Sequence, residues 1–393
     1  MIRPVAAFDR LGTETAFEVL ARAQQLAAEG RDIINLGIGQ PDFRTPDHIV
    51  EAAKRALDEG AHGYTAAAGI PALRKAVTVD LHKRHGVDVD ERAVLIAPGA
   101  KPIMYFTILM FGEPGAEILY PNPGFPIYES MIAYTGAKPV PIELHESAGF
   151  SFDADQVLSR VNERTRLIIL NSPGNPTGGV IPAAQIERLL EGLEAYPDCV
   201  ILSDEVYSKI LYEGRKHVSL LSYPQIRDRL IVIDGWSKTY AMTGWRVGYG
   251  IFPEALFPHA ERLAVNSYSC VNAATQFAAL AALEGPQDDA ARMVAAFDER
   301  RKLIVRELNT IPGVRCADPG GAFYTFPNIT GTGLDSRTFQ RRLLDESGIA
   351  VVSGTSFGAL GEGYVRFSYA ASTEAISEAM RRLRTFVEAS AVK

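Results

Sequence analysis

Six short apolar segments, separated by turns and helical stretches, constrain the fold of this 393-residue chain more than any other feature. Their residues are continuously apolar and rich in β-branched side chains, with no alternation between apolar and polar. Strands with this pattern are buried on both faces, as in the largely parallel sheets of α/β proteins. The segments predicted as strands are residues 93–97, 117–120, 167–170, 200–202, 230–233 and 247–251.

Helical segments with one apolar face lie before, between and after these strands. We predict helices over residues 13–29, 46–58, 183–195 and 288–309. Thr13 is the expected N-cap of the first helix. The chain is too long for one ordinary core, so we expect a large α/β domain with a smaller companion. The predicted division is a large domain over residues 46–290 and a smaller α+β domain from both termini, residues 1–45 and 291–393.

Unusual polar motifs follow five of the predicted strands almost immediately. In open α/β sheets the ligand lies beyond the carboxyl ends of the strands. We therefore expect these motifs to meet around one ligand. They are Gly99-Ala100-Lys101, Pro123-Gly124-Phe125, residues 171–176, Ser203-Asp204-Glu205 and Lys238.

The motif around Lys238 and Arg246 is the most informative. Lys238 lies in a short loop of small residues after strand 230–233, and Arg246 opens the next apolar segment eight residues later. An amine held at a strand end is well placed to form a Schiff base, and a guanidinium suits a phosphate. Together they match two needs of a pyridoxal phosphate site. Taken alone, the segment favours an ordinary surface lysine in a loop.

Two further motifs fit the same ligand, and each has a simpler structural explanation. Gly99, Ala100 and Lys101 look like the start of a helix, where backbone N–H groups bind an anion; a helix cap without a ligand is the alternative. Asp204 ends a buried strand, where a carboxylate needs a cation or hydrogen-bond donors. It is a candidate partner for a protonated pyridine nitrogen, with an N-cap or a salt bridge as the alternative. Tyr207 follows three residues later, within reach of a cofactor's phenolic oxygen.

Asn175, Phe125 and Arg366 are weaker candidates. Prolines stiffen the loop of Asn175 so that its amide projects, although many Asn-Pro pairs are only turns. Phe125 either supplies an aromatic platform or packs on its own lobe. Arg366 alternates with apolar residues in a strand-like segment, so it either binds a carboxylate in a cleft or forms a surface salt bridge.

Composition and charge disfavour several classes of function. The net charge of −7 argues against a protein held to nucleic acid by phosphate contacts. Cys199, Cys270 and Cys316 are far apart, which argues against disulfides or a zinc site and favours a reducing cytoplasm. No segment has the apolar length of a signal peptide or a membrane span. His82 and His85 lie on a charged helical face that we expect to be solvated, so no metal site is predicted.

Taken together, these segments resemble the class I and II aminotransferases, the pyridoxal phosphate enzymes of fold type I. The resemblance covers nearly the whole chain, and its specificity comes from the order of seven motifs that are each weak alone. The motifs are residues 37–43, 64–71, 171–178, 203–207, 237–246, 321–324 and 365–369. The resemblance implies a large domain with a mostly parallel seven-stranded sheet flanked by helices, and a smaller α+β domain.

The resemblance also implies a role for each matching residue, with pyridoxal 5'-phosphate as the cofactor. The catalytic set is Lys238, as the Schiff-base lysine, with Asp204 and Tyr207. The cofactor-binding set is Tyr64, Gly99, Ala100, Lys101, Phe125, Asn175, Asp204, Tyr207, Ser237, Lys238 and Arg246. The substrate-binding set is Gly39, Asn175 and Arg366, with Arg366 holding the α-carboxylate. Because Tyr64 matches a tyrosine that reaches the neighbouring subunit's phosphate, the resemblance implies a homodimer with shared sites.

The implied reaction is ping-pong transfer of an amino group from an L-amino acid to a 2-oxo acid, 2-oxoglutarate or pyruvate. Residues 266–272 contain no arginine that would mark a dedicated dicarboxylate enzyme, and Phe17, Ile38 and Tyr64 suit neutral side chains. We therefore expect a broad enzyme for neutral, aromatic or acidic amino acids. One position departs from many relatives: Gly235 stands where they have a serine, so one phosphate hydrogen bond is expected to be missing or to come from the backbone.

Two other functions share this fold. A carbon–sulfur β-lyase has nearly the same active-site core and would release pyruvate and ammonia from cystathionine without an oxo-acid acceptor. A non-catalytic ligand-sensing module would have a helix-turn-helix domain upstream, whereas the aminotransferase-like region here begins close to Met1. A nicotinamide dehydrogenase is disfavoured because no GxGxxG follows the first strand.

Overall fold

The six apolar segments form six strands of one seven-stranded sheet in the computed structural model, which describes residues 2–391. The sheet has the strand order β2-β8-β7-β6-β5-β3-β4, and β8 runs antiparallel to the other six strands. Its strands are β2 (Val94–Ala97), β3 (Glu117–Asn122), β4 (Lys138–Glu143), β5 (Thr165–Asn171), β6 (Val200–Asp204), β7 (Leu230–Gly235) and β8 (Gly248–Ile251). The remaining strands are β1 (Ile34–Asn35), β9 (Tyr324–Thr325), β10 (Ile349–Ala350), β11 (Val352–Ser353) and β12 (Val365–Ser368). The predicted mostly parallel sheet is confirmed.

Both faces of this sheet are covered, which explains the continuously apolar segments. Along β5, Ile168 and Leu170 pack in one hydrophobic cluster, while Leu167 and Ile169 pack in a second cluster on the opposite face. The strand that the sequence analysis missed, β4, lies at the sheet edge and is only partly buried. It contains two prolines, which an edge strand tolerates because it has one unpaired side.

Twelve α-helices are found among the described residues, and they flank the large sheet or build the smaller lobe. They are α1 (Thr15–Ala28), α2 (Asp47–Asp58), α3 (Pro71–His85), α4 (Lys101–Phe111), α5 (Ile127–Thr135), α6 (Ala154–Leu158), α7 (Ala183–Gly192), α8 (Phe257–Ser267), α9 (Ala273–Glu284), α10 (Asp288–Leu308), α11 (Ser336–Ser347) and α12 (Thr373–Ala391). None of the described helices combines the length and the apolarity needed to cross a membrane.

The predicted helix boundaries agree with the structure to within a few residues, but Thr13 is not an N-cap. The cap position of α1 is Glu14, and no side-chain hydrogen bond caps this helix. The carboxylate of Glu14 is bound instead by Lys101, on a helix of the large domain. The first turn of α1 therefore has no side-chain cap, and Glu14 takes part in a tertiary ion pair.

The smaller lobe combines segments from both ends of the chain. Near the N-terminus, β1 pairs in parallel with β10, so that Ile34 lies opposite Ile349. A three-stranded antiparallel sheet, β11-β12-β9, packs with helices α10, α11 and α12 around a hydrophobic cluster of its own. This is the small α+β unit expected from the sequence. The domain boundaries at residues 45 and 290 stay a prediction.

Candidate active site

A cavity of about 450 Å³ lies at the carboxyl ends of the parallel strands. Four motifs that follow β2, β3, β6 and β7 contribute to its wall, as does Asn175 after β5. Because β8 runs antiparallel, its amino end brings Arg246 to the same edge of the sheet. The sequence-predicted residues that line the cavity are Gly39, Ala100, Lys101, Phe125, Asn175, Asp204, Tyr207, Ser237, Lys238, Arg246 and Arg366.

Lys238 is half-buried in this cavity, directly after β7. Its ammonium donates a hydrogen bond to the carbonyl oxygen of Gly39 at 2.7 Å. Burial lowers the pKa of the Lys238 amine to about 8, and the nearby positive charge of Arg366 acts in the same direction. The carboxylate of Glu14 opposes this effect and raises the pKa. Lys238 is therefore a partly desolvated amine whose pKa lies close to neutral pH, not a surface lysine.

The lowered pKa predicts that Lys238 becomes a nucleophile at a lower pH than an ordinary lysine. Because the folded protein disfavours the charged form, the neutral amine appears as the pH rises through about 8. Reductive methylation of Lys238 in cofactor-free protein should follow this midpoint, against about 10.4 for the same residue in the unfolded chain. Mass spectrometry of the peptide containing Lys238 measures both curves. Coincident midpoints would contradict activation of the amine by burial.

Asp204 ends β6 as a buried carboxylate held by hydrogen-bond donors. The hydroxyl of Tyr128 donates to Oδ2 at 2.6 Å, and the backbone N–H of Val206 donates to Oδ1 at 3.3 Å. Burial raises the pKa of Asp204 to about 6, although both hydrogen bonds act in the lowering direction. Among the described residues no cation pairs with Asp204, so the salt-bridge alternative is wrong. The carboxylate faces a cavity in which a cationic ligand atom would stabilise it.

The start of α4 and the side chain of Arg246 meet at one end of the cavity. Gly99 has a left-handed backbone (φ 86°), and a Cβ there would lie 2.3 Å from Nη2 of Arg246. Gly248 is equally constrained, since its Cβ would lie 2.5 Å from the backbone nitrogen of Ala100. Gly99 does not itself line the cavity but allows the guanidinium and the helix start to approach each other. This arrangement of a cation and free N–H groups suits a phosphate.

Gly235 occupies the position at which many relatives have a serine, and here the packing of two strands requires a glycine. It pairs with Gly248 across β7 and β8, and a Cβ on Gly235 would lie 2.9 Å from the Cα of Gly248. A serine would therefore push these two strands apart. We expect the backbone or Ser237, which lines the cavity, to supply the missing donor.

Arg366 lies in β12 of the smaller lobe, where its side chain is buried and lines the cavity. The surface salt bridge considered from the sequence is therefore wrong. Its Nη1 donates to Oδ1 of Asn175 at 2.8 Å, and its Nη2 donates to the carbonyl of Gly37 at 2.5 Å. The guanidinium lies 4.5 Å from the ring centroid of Tyr324 and 4.7 Å from that of Phe357. Its Nε is buried and has no partner among the described residues. Such a guanidinium is fixed and still able to bind a carboxylate.

Tyr207 is fully buried, and its hydroxyl lies 2.8 Å from that of Tyr324. Burial raises the pKa of Tyr207 well above its usual value, so it remains a neutral hydrogen-bond donor. Sequence reasoning placed Tyr324 in a family motif without a role. Tyr128 and Glu14, which also line the cavity, were missed altogether. No local sequence signal identifies these two, because their partners are distant in the chain.

Tyr64 lies outside its own chain's cavity and is 93% exposed. The expectation of a solvated face around His85 is wrong, although His82 is exposed. The neighbouring Arg84 donates hydrogen bonds to Asp80 at 2.8 Å and Ser208 at 3.1 Å, and its side chain is only 18% exposed. Across residues 2–391, no group of three or more potential ligands could hold a metal ion.

Comparison with known proteins gives consistent results for sequence and structure. The family model for aminotransferase class I and II matches residues 31–383. The aspartate aminotransferase of Pyrococcus horikoshii is 40% identical over 92% of this chain and 92% of its own length. The crystal structure of the aspartate aminotransferase from Rhizobium meliloti superposes with a TM-score of 0.93 at 34% identity, over 99% of each chain. An aromatic aminotransferase structure from Pyrococcus horikoshii has a TM-score of 0.88 at 36% identity, covering 94% of this chain and 99% of its own.

Proposed function

The chain belongs to the class I and II aminotransferases, which depend on pyridoxal phosphate, and we propose that Lys238 is its catalytic lysine. The observation that supports this most directly is the amine itself. It lies in the cavity at the carboxyl edge of the sheet, with a pKa lowered to about 8. A partly neutral amine can both bond to a carbonyl carbon and carry a proton.

The residues of the cavity fit pyridoxal phosphate. Asp204 is a buried carboxylate without a cationic partner among the described residues, as a protonated pyridine nitrogen requires. A cradle for a phosphate is formed by the start of α4, Ser237 and Arg246. A Cβ at Gly99 would collide with the guanidinium of Arg246 and so displace one side of this cradle. We propose that Phe125 packs against the ring, and that Tyr207 and Asn175 bond its phenolic oxygen.

Bound in this cavity, pyridoxal phosphate supplies an electron sink that stabilises negative charge at the substrate's α-carbon. The chain's own residues then do the rest of the work. We propose that Arg366, with Gly39 and Asn175, holds the α-carboxylate and so orients the Cα–H bond toward Lys238. The neutral amine of Lys238 takes the α-proton and later returns it. Asp204 remains ionised throughout and keeps its partner nitrogen protonated.

We propose that the substrates are an L-amino acid and a 2-oxo acid, either 2-oxoglutarate or pyruvate. The names of the relatives differ in the amino acid they specify, aspartate in one case and aromatic amino acids in another. Phe17 and Ile38 both line the cavity, which supports uncharged side chains among the substrates.

An absorbance spectrum tests the proposed reaction. Purified protein should show the visible band of bound pyridoxal phosphate, and a single L-amino acid added without an acceptor should bleach it to the pyridoxamine form. Subsequent addition of a 2-oxo acid should restore the band. A band that bleaches only transiently while pyruvate and ammonia accumulate would indicate the β-lyase instead.

We also propose a homodimer with shared sites, in the cytoplasm. The single chain leaves several large apolar side chains exposed, as expected at an interface between subunits. They include Tyr64, Tyr105, Val265 and Phe277. All three cysteines are free, which fits a reducing compartment. Light scattering should give twice the chain mass, and Tyr64→Phe should weaken binding of pyridoxal phosphate. A monomer with full cofactor affinity would contradict shared sites.

A further inference from the structure

One ion pair is built into the wall of the active-site cavity. The Oε2 atom of Glu14 lies 2.8 Å from Nζ of Lys101, and both side chains line the cavity. Glu14 immediately precedes α1 and Lys101 begins α4, so the pair joins the N-terminal segment to the large domain. Lys101 also lies 5.3 Å from the ring centroid of Phe125, next to the proposed cofactor position.

The other cations that line the cavity have tasks in the proposed mechanism. Lys238 holds the cofactor, Arg246 binds its phosphate, and Arg366 binds the substrate's α-carboxylate. Lys101 contributes the backbone N–H of the α4 start to the phosphate cradle, so among this chain's described lining residues its ammonium is the cation left for a second carboxylate on the substrate. Glu14 already occupies it.

Glu14 also lies within electrostatic reach of the reacting amine. Its negative charge raises the pKa of Lys238, against the lowering effect of burial. An acidic substrate side chain would therefore meet a carboxylate of like charge as well as an occupied cation. A basic side chain gains nothing either, because the carboxylate that would attract it is already paired with Lys101, whose ammonium has the same sign as the side chain.

We propose that the Glu14–Lys101 ion pair makes this site selective for amino acids and 2-oxo acids with uncharged side chains, and against aspartate, glutamate and 2-oxoglutarate. The inference rests on the proposed function and narrows its substrate range. Phe17 and Ile38 complete the specificity surface, since they give an apolar side chain a wall to pack against. The same cavity serves both half-reactions, so donor and acceptor are subject to the same selection.

Single amino acids mixed with the holoenzyme test this selectivity, since the initial bleaching rate gives kcat/KM for each. The wild type should favour phenylalanine over aspartate by at least about fivefold. Glu14→Gln is nearly isosteric and frees Lys101, so the aspartate-to-phenylalanine ratio should rise by at least about fivefold. Glu18→Gln is the matched control, because Glu18 is exposed on the same helix and does not line the cavity. Its ratio should equal that of the wild type.

Binding of succinate, a dicarboxylate that cannot react, provides a readout apart from turnover. Calorimetry with the holoenzyme should show a Kd for succinate at least about fivefold lower in Glu14→Gln than in the wild type. A wild type that favours aspartate, or either change falling below about fivefold, would overturn the role of the ion pair while leaving transamination intact. If no amino acid bleaches the band at all, the proposed function itself fails.

Discussion

Replacing Lys238 with alanine is expected to reduce turnover with every amino acid by about 10⁴-fold or more, about 5 kcal/mol of transition-state stabilisation. The substitution removes both the covalent anchor of the cofactor and the base that carries the α-proton. Single-turnover bleaching of the visible band measures the loss. Residual turnover above about one-hundredth of the wild-type rate would contradict the assignment.

This loss should not come from misfolding. A lysine whose pKa is lowered in the folded state destabilises the fold while it is charged, so its removal should not lower the melting temperature near pH 7. Lys101→Ala is the matched control, since it removes the other amine of the cavity. It should keep measurable turnover and leave borohydride-reduced cofactor attached to the Lys238 peptide. Loss of the reduced cofactor from the Lys238 peptide in Lys101→Ala would exchange the two roles.

Replacing Asp204 with asparagine is expected to lower kcat by about 10³-fold, close to 4 kcal/mol. The amide has the same shape but no negative charge, so it cannot keep a pyridine nitrogen protonated. It can still accept the hydrogen bond that Tyr128 donates at 2.6 Å, which limits the structural change. In the cofactor-free protein this carboxylate should become protonated as the pH falls through about 6, so the affinity for the cofactor should fall over the same range.

Tyr128→Phe separates charge from positioning at this carboxylate. It removes the hydroxyl that orients Oδ2 of Asp204 but keeps the charge and the aromatic ring. We expect a smaller loss of kcat than for Asp204→Asn. The affinity of the cofactor-free protein for the cofactor should begin to fall at a higher pH than in the wild type, because a hydrogen bond that lowers the pKa of Asp204 is gone. Equal losses in both variants would show that orientation, not charge, is what Asp204 contributes.

The architecture follows from the sequence because burial and turns are local properties. A strand with helices on both faces must be apolar at every position, and segments such as 167–170 are. Parallel strands also place the residues after their carboxyl ends at one edge, so the motifs ending in Asp204 and Lys238 had to meet there. By contrast, β4 was missed because an edge strand is half-exposed and its apolar residues alternate.

Errors arose where a side chain's partner lies far away in the chain. Arg84 lies between His82 and His85 in a charged segment and looks solvated in sequence, yet it donates a hydrogen bond to Ser208 in the turn after β6. Thr13 has the residue type of an N-cap, but the cap position is Glu14, whose carboxylate is bound by Lys101 on a helix of the large domain. Neither outcome can be derived from local propensity, since the deciding contact requires the packed structure.

By itself, the sequence determined a buried parallel sheet, a lysine after one of its strands, and most of the side chains that line one cavity. Only the tertiary structure decided which of these side chains bind one another. Tyr128 and Asp204 are 76 positions apart, Glu14 and Lys101 are 87, and Asn175 and Arg366 are 191. Pairing at such separations depends on how elements pack, whereas apolar pattern and turn chemistry are encoded within a few residues. The sequence motifs therefore predict the class of chemistry, whereas the Glu14–Lys101 ion pair that is proposed to select the substrate forms only in the folded structure.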